Sequence, residues 1–170
     1  FPSGSPGTPP RALGENPVSW PAMQPIFVGD VQGCGDELDE VLGKARQFFG
    51  DEFELYVVGD LVNRGPHNLR VLERVRTLEA AGRAHYVLGN HEIGLLRIAF
   101  GLRGLEPGDS IQDVLSSQDA ADWIEWLRAR PLAVTGEIAG SRFAMVHAAV
   151  HPRWSLAELA RQARRVEQVL

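Results

Sequence analysis

The sequence is poor in the features that would assign a chain at once to several familiar classes. Its 170 residues contain one cysteine, Cys34, which excludes an internal disulfide framework and fits a reducing compartment. No apolar run reaches the length of a membrane span and no basic, apolar leader is seen, which predicts a cytoplasmic protein without a membrane partner. Basic residues number 17 against 22 acidic ones, and the net charge of −5 argues against binding to double-stranded nucleic acid.

Proline is abundant only near the beginning of the chain. Seven of the 11 prolines fall within residues 1–25, together with glycine, serine and few apolar residues. Such a stretch cannot bury enough surface to fold, so residues 1–24 are predicted to be a flexible arm. The composition fits a natural tail and an extension ahead of Met23 equally well. Residues 25–170 are predicted to form one domain, with a helical, cap-like insert around residues 92–130.

From residue 25 onward, short apolar runs alternate with segments of helical periodicity. The apolar runs end at Val28, Val58, Leu88 and Val146, and they predict buried strands. Helices are predicted between the first three runs, the first of them with Asp36 as its N-cap. Strands that alternate with helices indicate βαβ units and a largely parallel sheet, so the predicted fold class is α/β.

Each apolar run leads into a side chain that can bind a metal ion. The first two runs are followed by a glycine and then Asp30 or Asp60, the third by a glycine and Asn90, and the fourth directly by His147. Strands of an α/β sheet deliver their terminal residues to one edge, where ligands bind. Two divalent ions bridged by one carboxylate, for which Asp60 is the candidate, can clamp a phosphate and generate hydroxide from water at neutral pH.

Three neighbouring residues are candidates for other roles in such a site. His91 could protonate a leaving oxygen, because imidazole groups titrate near neutral pH. Arg64 carries a planar guanidinium group that matches phosphate oxygens, although taken alone it is equally well explained as an ordinary exposed arginine. Glu92 would either hold the imidazole of His91 or cap the helix that follows.

In this order and spacing the motifs resemble those of the calcineurin-like metallophosphoesterases. The signature of that superfamily is GD-x-H-G, GD-x-x-x-R-G, GNH-D/E and V-H-A/G. The corresponding stretches are residues 29–33, 59–65, 89–92 and 146–148. The triplet Arg64-Gly65-Pro66 is among the details most similar to the bacterial symmetrical diadenosine tetraphosphatases. The resemblance extends from about Ile26 to the last residue.

The resemblance implies a fold, a reaction and a cofactor. The fold would be a four-layer α/β/β/α sandwich with two mixed sheets. The reaction would be symmetrical hydrolysis of diadenosine tetraphosphate to two ADP, by attack of metal-bound hydroxide on phosphorus. Related dinucleoside polyphosphates and capped RNA 5′ ends would be further substrates. The cofactor would be two divalent ions, Mn²⁺ in the first place and Co, Fe or Zn otherwise.

The resemblance also implies roles for individual residues. Carried over by motif, the metal ligands would be Asp30, Gln32, Asp60, Asn90 and His147. Arg64 would grip phosphate, Asn90 would also contact the substrate, and His91 would assist at the leaving group.

The sequence departs from the family pattern at three places. Gln32 stands where the superfamily usually has a metal-binding histidine, which predicts a looser site or one selective for harder cations. Asn63 stands where the related protein phosphatases carry an aspartate that orients the catalytic histidine, which weighs against that branch. The family pattern continues past Leu170, so its last metal-binding histidine is expected beyond that residue. Two alternatives therefore stay open: a Ser/Thr protein phosphatase of the same superfamily, or a truncated, non-catalytic form that binds polyphosphate.

Overall fold

The computed structural model describes residues 23–170 of the chain. Five strands and six helices follow in the order β1 (Gln24–Val28), α1 (Gly35–Phe49), β2 (Phe53–Val57), α2 (Asn68–Ala80), β3 (Ala84–Tyr86), α3 (Asn90–Ala99), α4 (Gln112–Leu115), α5 (Ala120–Arg128), β4 (Ala133–Ile138), β5 (Ser141–Val146) and α6 (Leu156–Glu167). The predicted arm lies outside the described residues as far as residue 22. Gln24, the last residue of the predicted arm, pairs with Phe53 in the first sheet.

The first three strands form a parallel sheet in the order β1-β2-β3, with α1 and α2 as the crossovers. This confirms the predicted βαβ units. One face of the sheet packs against the helices, and Leu55 and Val57 of its central strand are fully buried there. Alternate residues of a strand point to opposite faces, so Tyr56 lies on the other side.

The apolar residues of helix α1 explain why this segment is helical, and its start corrects one prediction about Asp36. Leu38, Leu42 and Ala45 recur at helical spacing and are buried against the sheet. The helix begins at Gly35, so the prediction that Asp36 is its N-cap is wrong. Asp36 lies in the first turn instead, where its carboxylate pairs with Arg70 of α2 at 2.6 Å.

The second sheet is an antiparallel hairpin made by β4 and β5. Its two-residue turn consists of Ala139 and Gly140, both with positive φ (49° and 78°), as right-handed strand twist requires. Met145 of β5 packs against Tyr56 and Val87, on the face of the first sheet that is turned away from the helices. The hairpin therefore forms a second β layer.

Helix α6 covers the outer side of the hairpin by packing on β4. Ser155 caps it, because its hydroxyl oxygen accepts a hydrogen bond from the backbone amide of Glu158 at 3.2 Å. At the other end, the Glu167 carboxylate accepts a hydrogen bond from the Leu132 amide at 2.7 Å. The order helices, sheet, sheet, helix confirms the four-layer sandwich. Within residues 23–170 neither sheet is mixed, since one is parallel and the other antiparallel.

Helices α4 and α5 and most of α3 fall within the segment predicted to be an insert. Helix α5 packs on α3 and α4, and α4 packs on α2. Whether this segment acts as a cap stays a prediction. Among the helices described for residues 23–170, none has both the length and the apolar character that crossing a membrane requires.

Candidate metal centre

The carboxyl ends of the strands bring together residues that lie far apart in the sequence. Ligand atoms of Asp30, Asp60 and His147 all lie within 4.8 Å of one another. Asn90 joins them, with its Oδ1 atom 3.0 Å from Nε2 of His147. Asp60 is the most deeply buried of the four at 2% exposure, whereas Asp30 is open to solvent. A central buried carboxylate with ligands around it is the arrangement that a bridging ligand needs.

The contacts of His147 identify which of its nitrogen atoms faces the site. Nδ1 lies 2.7 Å from the carbonyl oxygen of Val58, so this nitrogen carries the proton and donates it. Nε2 is then the nitrogen that faces the site, 3.5 Å from Asp60 Oδ2 and 3.0 Å from Asn90 Oδ1. A carboxylate oxygen, an amide oxygen and an imidazole nitrogen that converge in this way are all atoms that bind divalent ions. The donor set therefore fits a divalent metal ion, and the Val58 contact is the orienting bond that metal-binding histidines require.

Backbone strain is concentrated around this site. Gln32, Asp60, Asn63 and Arg64 all have positive φ, at 49°, 50°, 77° and 70°, and they are four of the five such non-glycine residues within residues 23–170. Conformations of this kind cost free energy and persist where the surroundings fix them, typically at functional sites. Here the carbonyl oxygen of Asp60 accepts hydrogen bonds from the amides of Val31 and Gln32 at 2.9 and 2.7 Å. The loops after β1 and β2 therefore hold each other in place.

Gln32, the predicted ligand in place of a histidine, lies beside Asp30 at the exposed rim. Its amide nitrogen is 3.4 Å from Oδ2 of Asp30. The structure thus places Gln32 next to one ligand of the cluster, and its own role as a ligand stays a prediction.

Two glycines leave room that no other residue could leave. A Cβ atom on Gly89 would lie 2.1 Å from Oδ1 of Asp60, and one on Gly59 would lie 2.6 Å from Nδ1 of His147. Both distances are far below van der Waals contact. Gly59 and Gly89 are therefore required because a candidate ligand packs directly against the backbone of each, whereas a Cβ on Gly29 would meet nothing within 4 Å.

We expect Gly89→Ala to weaken Mn²⁺ affinity by at least about tenfold, because the new methyl group displaces the Asp60 carboxylate. Isothermal titration calorimetry with Mn²⁺ measures the effect. Gly43→Ala is the matched control, since Gly43 lies within α1 and a Cβ there would meet nothing within 4 Å. The control should leave Mn²⁺ affinity unchanged and stabilise the helix by about 0.5–1 kcal/mol. Equal affinity in both variants would show that the ligands do not pack as described.

Glu92 has one of the two roles considered from the sequence, since it caps α3, and it makes further contacts that the sequence did not suggest. Its carboxylate is fully buried and does not hold the imidazole of His91. It caps α3 by accepting a hydrogen bond from Gly89 at 2.8 Å, and it also accepts from backbone amides of the loop after β2. Burial raises the pKa of the Glu92 carboxyl above its usual range, against the lowering effect of the Gly89, Val62 and Leu61 amides.

A polar cavity of about 180 Å³ opens beside the ligand cluster. Its wall includes Asn63, Arg64, Asn90, His91, Arg103 and Asp109. The His91 side chain is 10% exposed, and its Nε2 atom lies 3.7 Å from Oδ2 of Asp60. Its Nδ1 atom is buried and has no hydrogen-bond partner within residues 23–170. The cavity thus places an imidazole and a guanidinium group next to the candidate metal ligands.

Two residues in the wall of this cavity, Arg103 and Asp109, were not predicted from the sequence. Asp109 accepts a hydrogen bond from the side chain of Asn63 at 3.2 Å and pairs with Arg103 at 2.5 Å. The Glu106 backbone amide and the Arg103 guanidinium lower the pKa of the Asp109 carboxyl. Asn63 in turn accepts from the amides of Arg64 and Ser110. The only local signal in the sequence for these contacts was the turn-forming Pro-Gly-Asp stretch at residues 107–109.

A four-layer sandwich with carboxylate, amide and imidazole ligands at the ends of its strands is an α/β protein of the metallophosphoesterase class. Residues 23–168 match the family described as calcineurin-like phosphoesterases. The chain belongs to that family.

Two curated relatives of the chain carry the same name. The chain is 42% identical over 148 residues to the symmetrical bis(5′-nucleosyl)-tetraphosphatase of Janthinobacterium sp. (strain Marseille), an alignment that covers 87% of this chain and 52% of the relative. It is 43% identical over 143 residues to the protein of the same name from Acidovorax ebreus, covering 84% and 50%. The chain therefore spans about half the length of the curated relatives it matches.

Two solved structures share the fold. A crystal structure described provisionally as that of a diadenosine tetraphosphatase superposes with a TM-score of 0.59 at 31% identity, covering 80% of this chain and 55% of that one. A hypothetical protein from Pyrococcus horikoshii superposes with a TM-score of 0.56 at 14% identity, covering 84% and 64%. The second likeness bears on the fold alone.

Proposed function

We propose that this chain is a metal-dependent hydrolase of dinucleoside polyphosphates, which cleaves diadenosine tetraphosphate symmetrically to two ADP. The observation that carries the proposal is the convergence of Asp30, Asp60, Asn90 and His147 beside a cavity that contains Arg64. The names of the relatives in the matched branch support the choice of substrate.

Asp30, Asp60, Asn90 and His147 would hold two divalent ions, with Asp60 between them and Gln32 at the edge of the site. When bound, such ions polarise a phosphoryl group and activate water. Among the chain's own residues, Arg64 would bind phosphate oxygens through its guanidinium fork. Asn90 would contact both the ions and the substrate.

His91 would move the proton that the reaction requires. Its Nδ1 atom is buried, so Nε2 is the nitrogen that faces Asp60 and the site. A proton held at Nε2 would be given to the leaving phosphate oxygen, which is general acid catalysis.

We propose Mn²⁺ as the native ion. Carboxylate and amide oxygens suit Mn²⁺, whereas imidazole ligands alone would favour Zn²⁺, Fe²⁺ or Co²⁺. Capped RNA 5′ ends are proposed as further substrates because they contain the same kind of polyphosphate bridge. The free Cys34 supports a cytoplasmic location.

The test is incubation of the chain with diadenosine tetraphosphate, with and without Mn²⁺, followed by chromatographic separation of the nucleotides. We expect ADP as the sole product, and only when the metal is present. A phosphopeptide hydrolysed faster than the dinucleotide would favour a protein phosphatase instead. Binding of the dinucleotide and Mn²⁺ without turnover would favour the non-catalytic form.

Arg64→Ala should lower kcat/KM for diadenosine tetraphosphate by about 10- to 100-fold, because a charge-assisted hydrogen bond to phosphate contributes about 1.5–3 kcal/mol. Steady-state kinetics measures the change. Arg46→Ala is the control, since Arg46 is exposed on α1 and pairs only with Asp51 within residues 23–170. A kcat/KM for Arg64→Ala within twofold of the wild-type value would show that Arg64 does not bind the phosphate groups of the substrate.

A further inference from the structure

The carboxylate of Glu92 lies between the two loops that carry the central ligands of the site. Oε2 accepts hydrogen bonds from the backbone amides of Asp60 at 2.9 Å and Gly89 at 2.8 Å. Oε1 accepts from the amides of Leu61 at 2.8 Å and Val62 at 3.1 Å. One fully buried side chain therefore satisfies four backbone donors from segments about 30 residues apart.

These contacts exceed what capping a helix requires. A cap needs only the bond to Gly89, at the start of α3, whereas the other three amides belong to the loop after β2. That loop contains Asp60 in its left-handed conformation, with φ of 50°. Without an acceptor, its buried amides would each cost about 1–3 kcal/mol. Glu92 thus stabilises the strained turn that aims the Asp60 carboxylate.

A second bond ties the Asp60 side chain to the same helix turn. Oδ1 of Asp60 accepts a hydrogen bond from the backbone amide of His91 at 2.9 Å. The backbone of Asp60 is bound to Glu92 and its side chain to the neighbouring residue of α3. The relative position of Asp60 and Asn90 is therefore fixed through the first turn of α3.

The buried hydroxyl group of Tyr86 lies beside the Glu92 carboxylate. Burial, together with the nearby Glu92 carboxylate, raises the pKa of the Tyr86 hydroxyl well above its usual range. A neutral phenol therefore packs beside the buried carboxylate.

We propose that Glu92 is a positioning residue of the metal centre, which holds the loop after β2 and the start of α3 at the spacing that lets Asp60 and Asn90 share metal ions. The inference rests on the proposed metal-dependent function. Glu92 itself contacts neither substrate nor metal, and it acts only through the backbone of the ligand loops.

Two substitutions separate positioning from charge. Glu92→Gln keeps the length of the side chain, but its NH₂ group would meet backbone donors, so one loop is released. Glu92→Asp keeps the charge, but the carboxylate is shorter by one methylene and reaches only one of the two loops. Positioning predicts that both variants bind Mn²⁺ about 10- to 100-fold more weakly, measured by calorimetry on the metal-free chain. A purely electrostatic role predicts weakening in Glu92→Gln alone and would overturn the proposal.

Glu79→Gln is the matched control for lost stability. Glu79 is a partly buried carboxylate that pairs with Arg130 and accepts a hydrogen bond from Trp126, and no contact with the ligand loops is among its interactions within residues 23–170. This variant should lower Tm yet bind Mn²⁺ like the wild type. Glu92 variants that also bind Mn²⁺ within twofold of the wild type would refute the positioning role. If Glu92→Gln does not fold, Glu92→Asp alone carries the comparison.

The wild-type titration keeps two failures apart. A wild-type chain that does not bind Mn²⁺ would overturn the proposed function. A wild-type chain that binds Mn²⁺, with Glu92 variants that bind it equally well, would overturn only the role of Glu92. The rate of diadenosine tetraphosphate hydrolysis, measured as a function of Mn²⁺ concentration, adds a second readout, because a defect in positioning should appear mainly in the concentration of metal needed for half-maximal rate.

Discussion

Asp60→Asn should abolish hydrolysis of diadenosine tetraphosphate, with kcat lower by about 1,000-fold or more. Asp60 is the buried centre of the ligand cluster, and its carboxylate faces both His147 at 3.5 Å and His91 at 3.7 Å. An amide oxygen has no net charge and binds divalent ions far more weakly than a carboxylate. The loss of several kcal/mol of transition-state stabilisation corresponds to about three orders of magnitude in rate.

The same substitution should leave the metal-free chain at least as stable as the wild type. Oδ1 of an asparagine can still accept the hydrogen bond from the His91 amide. The variant also removes one of the buried negative charges, since the Glu92 carboxylate lies close by and the two repel each other. Active sites are commonly arranged for function at the cost of stability, so a higher Tm with lost turnover is the expected pattern.

Thermal unfolding, Mn²⁺ calorimetry and turnover on the same preparation decide this prediction. Asp36→Asn is the control, because Asp36 is an exposed carboxylate that pairs with Arg70 away from the site. It should reduce neither Mn²⁺ affinity nor kcat. If Asp60→Asn retained more than about a tenth of the wild-type kcat, another group would have to be the bridging ligand.

The ligand cluster could be predicted from the sequence because each of its members lies next to a strand end. A strand followed by a metal ligand is a local pattern, and parallel pairing brings such ends to one edge. The structure accordingly places Asp30, Asp60 and His147 together. The start of α1 could not be fixed in the same way, because Asp36 suits an N-cap and the first helical turn almost equally.

Other parts of the site depend on contacts that leave no local pattern. Glu92 binds backbone amides 30 to 32 residues away, and any residue type offers such an amide. Asn63 and Asp109 are 46 residues apart, and their contact depends on how the segment after α3 folds back. Such contacts follow from tertiary packing, so a single sequence suggests only that Glu92 lies at a helix start.

His91→Ala should lower kcat by about 100- to 10,000-fold while Mn²⁺ affinity stays within about twofold of the wild type. The His91 side chain lines the polar cavity beside Arg64, so it can reach a phosphate bound there. Its Nε2 atom is 3.7 Å from Asp60, whereas Nε2 of His147 is the imidazole nitrogen that belongs to the compact ligand cluster. Removing a proton donor slows departure of the leaving group without removing a ligand.

His147→Ala is the informative comparison with His91→Ala, because Mn²⁺ affinity is the quantity it should change. It should weaken Mn²⁺ affinity, because Nε2 of His147 is a candidate ligand whose orientation is fixed by the Val58 carbonyl. His85→Ala, on the exposed part of β3, should change neither quantity. If His91→Ala loses Mn²⁺ as His147→Ala does, His91 is a metal ligand and the proton must come from another donor. If metal binding persists and kcat falls, the two histidines divide the work between proton transfer and metal coordination.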